Sequence, residues 1–246
     1  MRQEHPHVTW IDAPAGSTIP QQRGLGICRS RGEIVGLIED DCVANGGWCA
    51  AAIAAHAGRQ HNAVGGPVAA GEYTTGLDWA VFFCEFGRFL PPQQGVVSVL
   101  PGTNITYRRQ ALAGVNLEKG LYEVVLHQQW QAAGDQLLAD PGLLIKNVNH
   151  WSASKVLKGA YHHGRTFAAM RVAGHRGPRR FAYGAFSPML PFMQTWRVAR
   201  TVFARRQHRV ALVRSLPWIL AFTGCWAWGE WHGYWFGPGD SAGQWQ

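Results

Sequence analysis

Apolar residues run without a break from Ile34 to Ile38 and stop at three consecutive acids, Glu39, Asp40 and Asp41. An uncharged run of this length predicts a buried strand that carries the acids at its carboxyl end. Other segments before and after it alternate between strand-like and helix-like patterning. Residues 7–12 read as a short strand ended by Pro14 and Gly16, and residues 19–30 as a helix interrupted by glycines. The Ala-rich segment from Trp48 to His56 predicts a helix with Gly58 as its stop. Residues 63–69, apolar with two glycines and a proline, predict a strand with a close backbone approach. The aromatic stretch 78–90 predicts a helix covering the sheet, and 96–100 a strand closed by Pro101 and Gly102. Polar Thr103, Asn104, Thr106 and Tyr107 then form a strand and loop edge, with Arg108 and Arg109 opening a helix. Residues 121–133 predict a helix starting near Tyr122 and capped by Gly134, and residues 140–150 give one more strand. The sum is an α/β chain over residues 1–150.

From residue 151 to 246 the material changes. Two uncharged runs, 181–196 and 215–229, are 16 and 15 residues long and each contains proline. Both fall short of the roughly 20 residues that cross a bilayer as a helix. Arg197, Arg200, Arg205, Arg206, Arg209 and Arg214 lie between them, and Trp196, Trp218, Trp226, Trp228, Trp231 and Trp235 stand as interface anchors would. These features predict a basic, aromatic helical region associated with a membrane, as a tight hairpin of short spans or as helices lying in the interface. A Trp-rich helical pair packed on the sheet is the soluble alternative.

Charge sharpens this division. The formal net charge of +8 hides a first part, residues 1–140, with 13 acids and 9 Lys or Arg, and a stretch 141–229 with 14 Lys or Arg and no acid. Because those cations are mixed with Trp, Phe and Leu, an anionic membrane surface is the expected partner and nucleic acid is not. Five cysteines without a CxxC pair fit reduced thiols and predict neither disulfides nor a zinc site. The opening residues MRQEHPHV lack the apolar core of a secretion signal. At 246 residues the chain holds one ordinary domain and a small appendage.

Clustered carboxylates at the carboxyl edge of a sheet suit a hard cation, Mg²⁺ or Mn²⁺, shared with substrate phosphates, and a solvated acidic turn is the plain alternative. The run GLGICRSRGEIVGLIEDDC (24–42) resembles the acidic metal motif of family 2 glycosyltransferases, inverting enzymes of the nucleotide-sugar-binding GT-A fold. AVGGPV (63–68), LPGTNITYRRQAL (100–112) and LYEVVLHQQWQAAG (121–134) follow in that family's order. The resemblance implies a partial GT-A (Rossmann-like) mixed sheet that starts after the family's first strand, helix and strand. It implies Asp41 as metal ligand with His150 as a second candidate, and Glu39 or Asp40 at the ribose or a second metal contact. Arg23 and Asn104 become donor-binding residues. Glu123 stands where the family's general-base Asp lies, one methylene longer, in the favoured first turn of its helix. As residues alone, Asn104 reads as a turn, Arg23 as a solvated helix residue and His150 as structural. The expected activity is transfer of a sugar from a nucleotide-diphosphate donor to a hydroxyl of a glycan or lipid-linked acceptor, with the site facing the cytoplasm. A non-catalytic, membrane-bound relative is the competing expectation.

Overall fold

The computed structural model describes residues 2–58, 61–172 and 177–244. In chain order its elements begin with α1 (Ile19–Arg29), β1 (Ile34–Ile38), β2 (Cys42–Ala44), α2 (Trp48–His56), β3 (Ala63–Gly65) and β4 (Val68–Ala70). Next come α3 (Gly76–Phe86), β5 (Gly95–Val97), β6 (Asn104–Arg108), α4 (Glu123–Ala132), β7 (Leu137–Ala139) and β8 (Ile145–Asn147). Four helices finish the chain: α5 (Ala153–Arg171), α6 (Pro178–Phe186), α7 (Leu190–Ala204) and α8 (Arg209–Phe236). They fall into two compact units, residues 1–69 with 91–146, and residues 70–90 with 147–246.

The first unit is mixed α/β. Five strands form a sheet in the order β1-β6-β3-β7-β5, and β2-β8-β4 form a second, smaller sheet. Within the larger sheet β3 and β7 run parallel, whereas β1 with β6, β3 with β6 and β5 with β7 are antiparallel. Ile27, Val35, Ile105, Tyr107, Leu121, Leu126 and Leu137 close over one another as its core, so α1 and α4 are fixed by the sheet they cover. Thr18 and Gln21 form a capping box at the start of α1, satisfying backbone donors the first turn leaves open.

Several sequence expectations change here. Residues 7–12 form no strand; Val8, Trp10 and Ile11 are exposed, without sheet neighbours to complete a ladder. β1 has the expected bounds, but it is an edge strand in which only Val35 is buried. The run 63–69 breaks into two strands at Gly66 and Pro67. A Cβ on Gly66 would lie 2.0 Å from the Leu143 carbonyl oxygen, and proline has no N–H for a ladder. After β6 the expected helix is a single 3-10 turn, Arg109–Leu112. The last predicted strand, 140–150, is confined to β8, and β7 precedes it across the turn at Gly142.

The second unit is helical, and α3 belongs to it rather than to the sheet. Leu77 and Val81 of α3 pack with Val156 of α5 and with Trp218 and Phe222 of α8. The paired apolar runs of the tail are not two short spans. The first is divided among α6, a 3-10 turn and α7, while the second lies inside α8, which continues through Pro217 for 28 residues. α8 is long and apolar enough to cross a membrane. α5 and α8 meet backbone to backbone: a Cβ on Gly164 would come within 2.2 Å of the Trp226 carbonyl oxygen, and one on Gly229 within 2.0 Å of the Tyr161 carbonyl oxygen. Glu230 is buried on α8 and takes hydrogen bonds from Trp226 Nε1 and Tyr234 Oη, each 2.8 Å, with Arg171 at 3.3 Å as counter-ion.

Candidate functional site

Three segments of the first unit converge at the carboxyl end of β1. The register pairs Ile38 with Asn104, so Glu39 emerges beside the loop that leads into β6. The start of α4 is drawn to the start of α1 because the Leu121 amide donates to the Pro20 carbonyl at 2.8 Å. Gly120 permits that approach with φ at +108°, in the region side chains avoid. Arg23, one turn into α1, then reaches both acids.

Its Nη2 donates to Glu39 Oε1 at 2.5 Å, and its Nη1 donates to Glu123 Oε1 at 2.5 Å. The guanidinium side chain is 14% exposed, Glu123 19% and Glu39 37%, so the cluster is half enclosed and open on the Glu39 side. The loop before β6 lies against it: a Cβ on Gly102 would sit 2.8 Å from Glu123 Oε1. Burial raises the Glu39 carboxyl above its ordinary value, and the like charges of Asp41 and Glu123 add to this while Arg23 opposes it. Glu39 is therefore easier to protonate than an ordinary glutamate, and the Arg23 guanidinium opposes that.

One turn beyond Glu123, His127 Nε2 and Tyr107 Oη share a hydrogen bond of 3.0 Å, with the rings of Tyr107 and Trp130 about His127. Burial pushes the imidazole down to about 4, so it stays neutral at ordinary pH; it raises the Tyr107 phenol, with the Glu123 charge adding to that shift. Sequence patterning alone did not single out His127. Its spacing of four from Glu123 was the available signal, since residues four apart share a helix face.

The remaining sequence candidates divide. Asp40 is exposed and Asp41 half-buried, with Cys42 Sγ 3.2 Å from Asp41 Oδ1. Asn104 is fully buried: its Oδ1 accepts from Trp48 Nε1 at 2.9 Å, and its Nδ2 donates to the carbonyls of Leu143 at 2.5 Å and Pro67 at 3.4 Å. An amide so occupied and fully buried ties the loops at the strand ends together. His150 lies in the second unit, where its Nδ1 is 3.3 Å from Asp78 Oδ2. Burial alone would raise the Asp78 carboxyl, but hydrogen bonds from Thr75, the Trp151 amide and His150 outweigh it and hold the group below its ordinary value. His150 is thus engaged with Asp78 in the helical unit.

No protein-family model, curated protein or solved structure matches this chain. The chemistry therefore rests on the residues. Among the described residues no three or more His, Cys, Asp or Glu side chains lie together as a metal-holding group. Asp40 and Asp41 supply hard oxygen donors at a reachable edge, which suits Mg²⁺ or Mn²⁺ only when substrate phosphates complete the shell. The arrangement offers a carboxylate at a helix start, a fixed guanidinium and two accessible acids on one edge of the sheet.

Proposed function

We propose that the chain is a membrane-associated inverting glycosyltransferase of GT-A type, moving a sugar from a nucleotide-diphosphate donor to a hydroxyl of a glycan or lipid-linked acceptor. The observation that carries the reading is the Arg23 bridge. It joins Glu39 and Glu123, two acids 84 positions apart in sequence that the motif resemblance independently names. Glu123 takes the proton of the acceptor hydroxyl as that oxygen attacks the anomeric carbon, and attack opposite the leaving group inverts the configuration. Arg23 fixes the rotamer of Glu123, so the base is oriented before substrate arrives. Glu39 or Asp40 would meet the ribose or make a second metal contact. Asp41, with Asp40, would hold Mg²⁺ or Mn²⁺ shared with the diphosphate, where the ion offsets charge on the departing nucleotide.

Membrane association draws on the second unit. Phe181, Phe186, Met189, Phe192, Met193 and Trp196 are all about half exposed or more along α6 and α7. Exposed apolar side chains in this number beside a row of arginines suit an anionic lipid surface. The glycine-mediated approach of α5 and α8 is also the packing favoured where lipid surrounds helices.

The competing reading, a non-catalytic relative, draws on the same bridge, because Arg23 engages both acids. Calorimetry separates the two. UDP and GDP are titrated, with and without Mn²⁺, into the detergent-solubilised chain and into Asp41→Ala. Metal-dependent binding that the variant loses is expected. If the intact chain binds neither nucleotide, the transferase reading fails and Glu123 is an ordinary helix-start carboxylate.

A further inference from the structure

Within the helical unit, α3, α7 and α8 enclose a cavity of about 340 Å³. Its walls are apolar on two sides, from Phe83 of α3 and from Phe222 and Trp226 of α8. Its polar lining is weighted toward cations: Arg88 follows α3, Arg197 comes from α7, and Glu85 is the one carboxylate beside them. Gln194 and Thr201, three residues before and four after Arg197 on α7, bring neutral hydrogen-bonding groups to the same face. Burial, and next the like charge of Arg197, push the Arg88 guanidinium below its ordinary value. Two guanidiniums against one carboxylate leave this half-enclosed, aromatic-walled space net positive, which suits an anion that bridges Arg88 and Arg197.

The neighbouring surface says what carries that anion. Arg197 and Thr201 also line a second, open hollow with Trp196, Arg200 and Arg205. On the next face of the same helix, Phe192 and Trp196 are 64% and 63% exposed. A compact cationic cavity that opens beside an outward aromatic face has the layout of a lipid site, headgroup inside and chains outside.

We propose that this cavity binds the phosphate group of an anionic lipid, with Arg88 and Arg197 as its ligands. The proposal rests on the membrane placement above but not on glycosyl transfer. Guanidinium and phosphate make paired, charge-assisted hydrogen bonds. Gln194 and Thr201 orient the remaining phosphate oxygens, and the chains lie along Phe192 and Trp196.

The test is calorimetry on the detergent-solubilised full chain with dihexanoyl phosphatidic acid, dihexanoyl phosphatidylcholine and inorganic phosphate as separate probes. Phosphatidic acid is expected to bind at least about tenfold tighter than either of the others, and Arg197→Gln or Arg88→Gln to weaken it by on the order of tenfold. Arg214→Gln, which removes the same charge from an exposed position of α8 outside the cavity, should leave binding within about twofold. Arg197→Lys, which keeps the charge but loses the fork, should fall between and serves if the glutamine variants do not fold. Inorganic phosphate binding as tightly as the lipid would make this a free-anion site, and phosphatidylcholine binding equally would make it mere apolar burial. Equal weakening by Arg214→Gln would reduce it to diffuse charge; each of these overturns the proposal. UDP binding in the arginine variants should match the unaltered chain, so a failure of the donor site and a failure of this site are read separately.

Discussion

Replacing Arg23 by Met removes the one guanidinium that spans Glu39 and Glu123 while keeping an unbranched apolar stem. Two hydrogen bonds of 2.5 Å disappear. A bond to a charged group contributes about 1.5–3 kcal/mol where water cannot replace it. Glu123, 19% exposed, loses close to that full amount, whereas Glu39, 37% exposed, recovers much of its share from solvent. The two carboxylates also face each other without a cation between them, and Glu39 already feels Glu123 as a like charge. The sum is a local loss of about 2–4 kcal/mol in the packing of α1 against the start of α4. Hydrogen exchange read by mass spectrometry on peptides from α1 and α4 measures it directly, because protection follows the local opening free energy. Protection should fall roughly 30- to 1,000-fold. Adding Glu123→Gln to Arg23→Met removes the stranded charge and should restore about 1–2 kcal/mol of the loss. Protection that changes less than about threefold, or a double variant no better than the single, would refute the bridge as the feature that organises the site.

Three further outcomes follow from the same geometry. His127 is neutral when folded down to about pH 4 but protonates near 6.5 when unfolded. Its stabilising contribution is therefore complete above pH 6.5 and lost as pH falls toward 4, up to about 3 kcal/mol, and denaturant titrations of His127→Phe against the unaltered chain should lack that part of the slope. Gly229→Ala places a Cβ 2.0 Å from the Tyr161 carbonyl oxygen, so α5 and α8 must separate; a loss of about 1–3 kcal/mol, seen as a lower melting temperature, is expected, and an unchanged melting temperature would mean the helices do not meet as described. Asn104→Ala strands the Trp48 donor and the Leu143 carbonyl, and should lower stability by about 2–3 kcal/mol in chemical denaturation while leaving UDP affinity, scaled to the folded fraction, unchanged.

How far the sequence carried differs from element to element, and the difference has physical causes. β1 and α2 were legible to the residue because an uncharged run bounded by acids and an Ala-rich run bounded by glycines are local signals. The helix α1 was legible despite its glycines, since Thr18, Pro20 and Gln21 mark its start. What failed were inferences about which neighbour a segment meets. Residues 7–12 alternate like a strand but meet no ladder, and the apolar α3 looks like a sheet cover but packs with α5 and α8. In the site, the motif named Glu39, Glu123 and Arg23 separately, yet no local pattern says that one guanidinium holds both acids. Nor does sequence reveal that Asn104 exhausts its amide on Trp48 and Leu143, because those partners lie 56 residues before it and 39 after. The acids' spacing thus speaks to what chemistry the edge of the sheet can hold, while Arg23 decides how Glu39 and Glu123 are aimed. For that reason Arg23, rather than any single carboxylate, is the residue that ties the packing of α1 and α4 to the proposed chemistry of this edge.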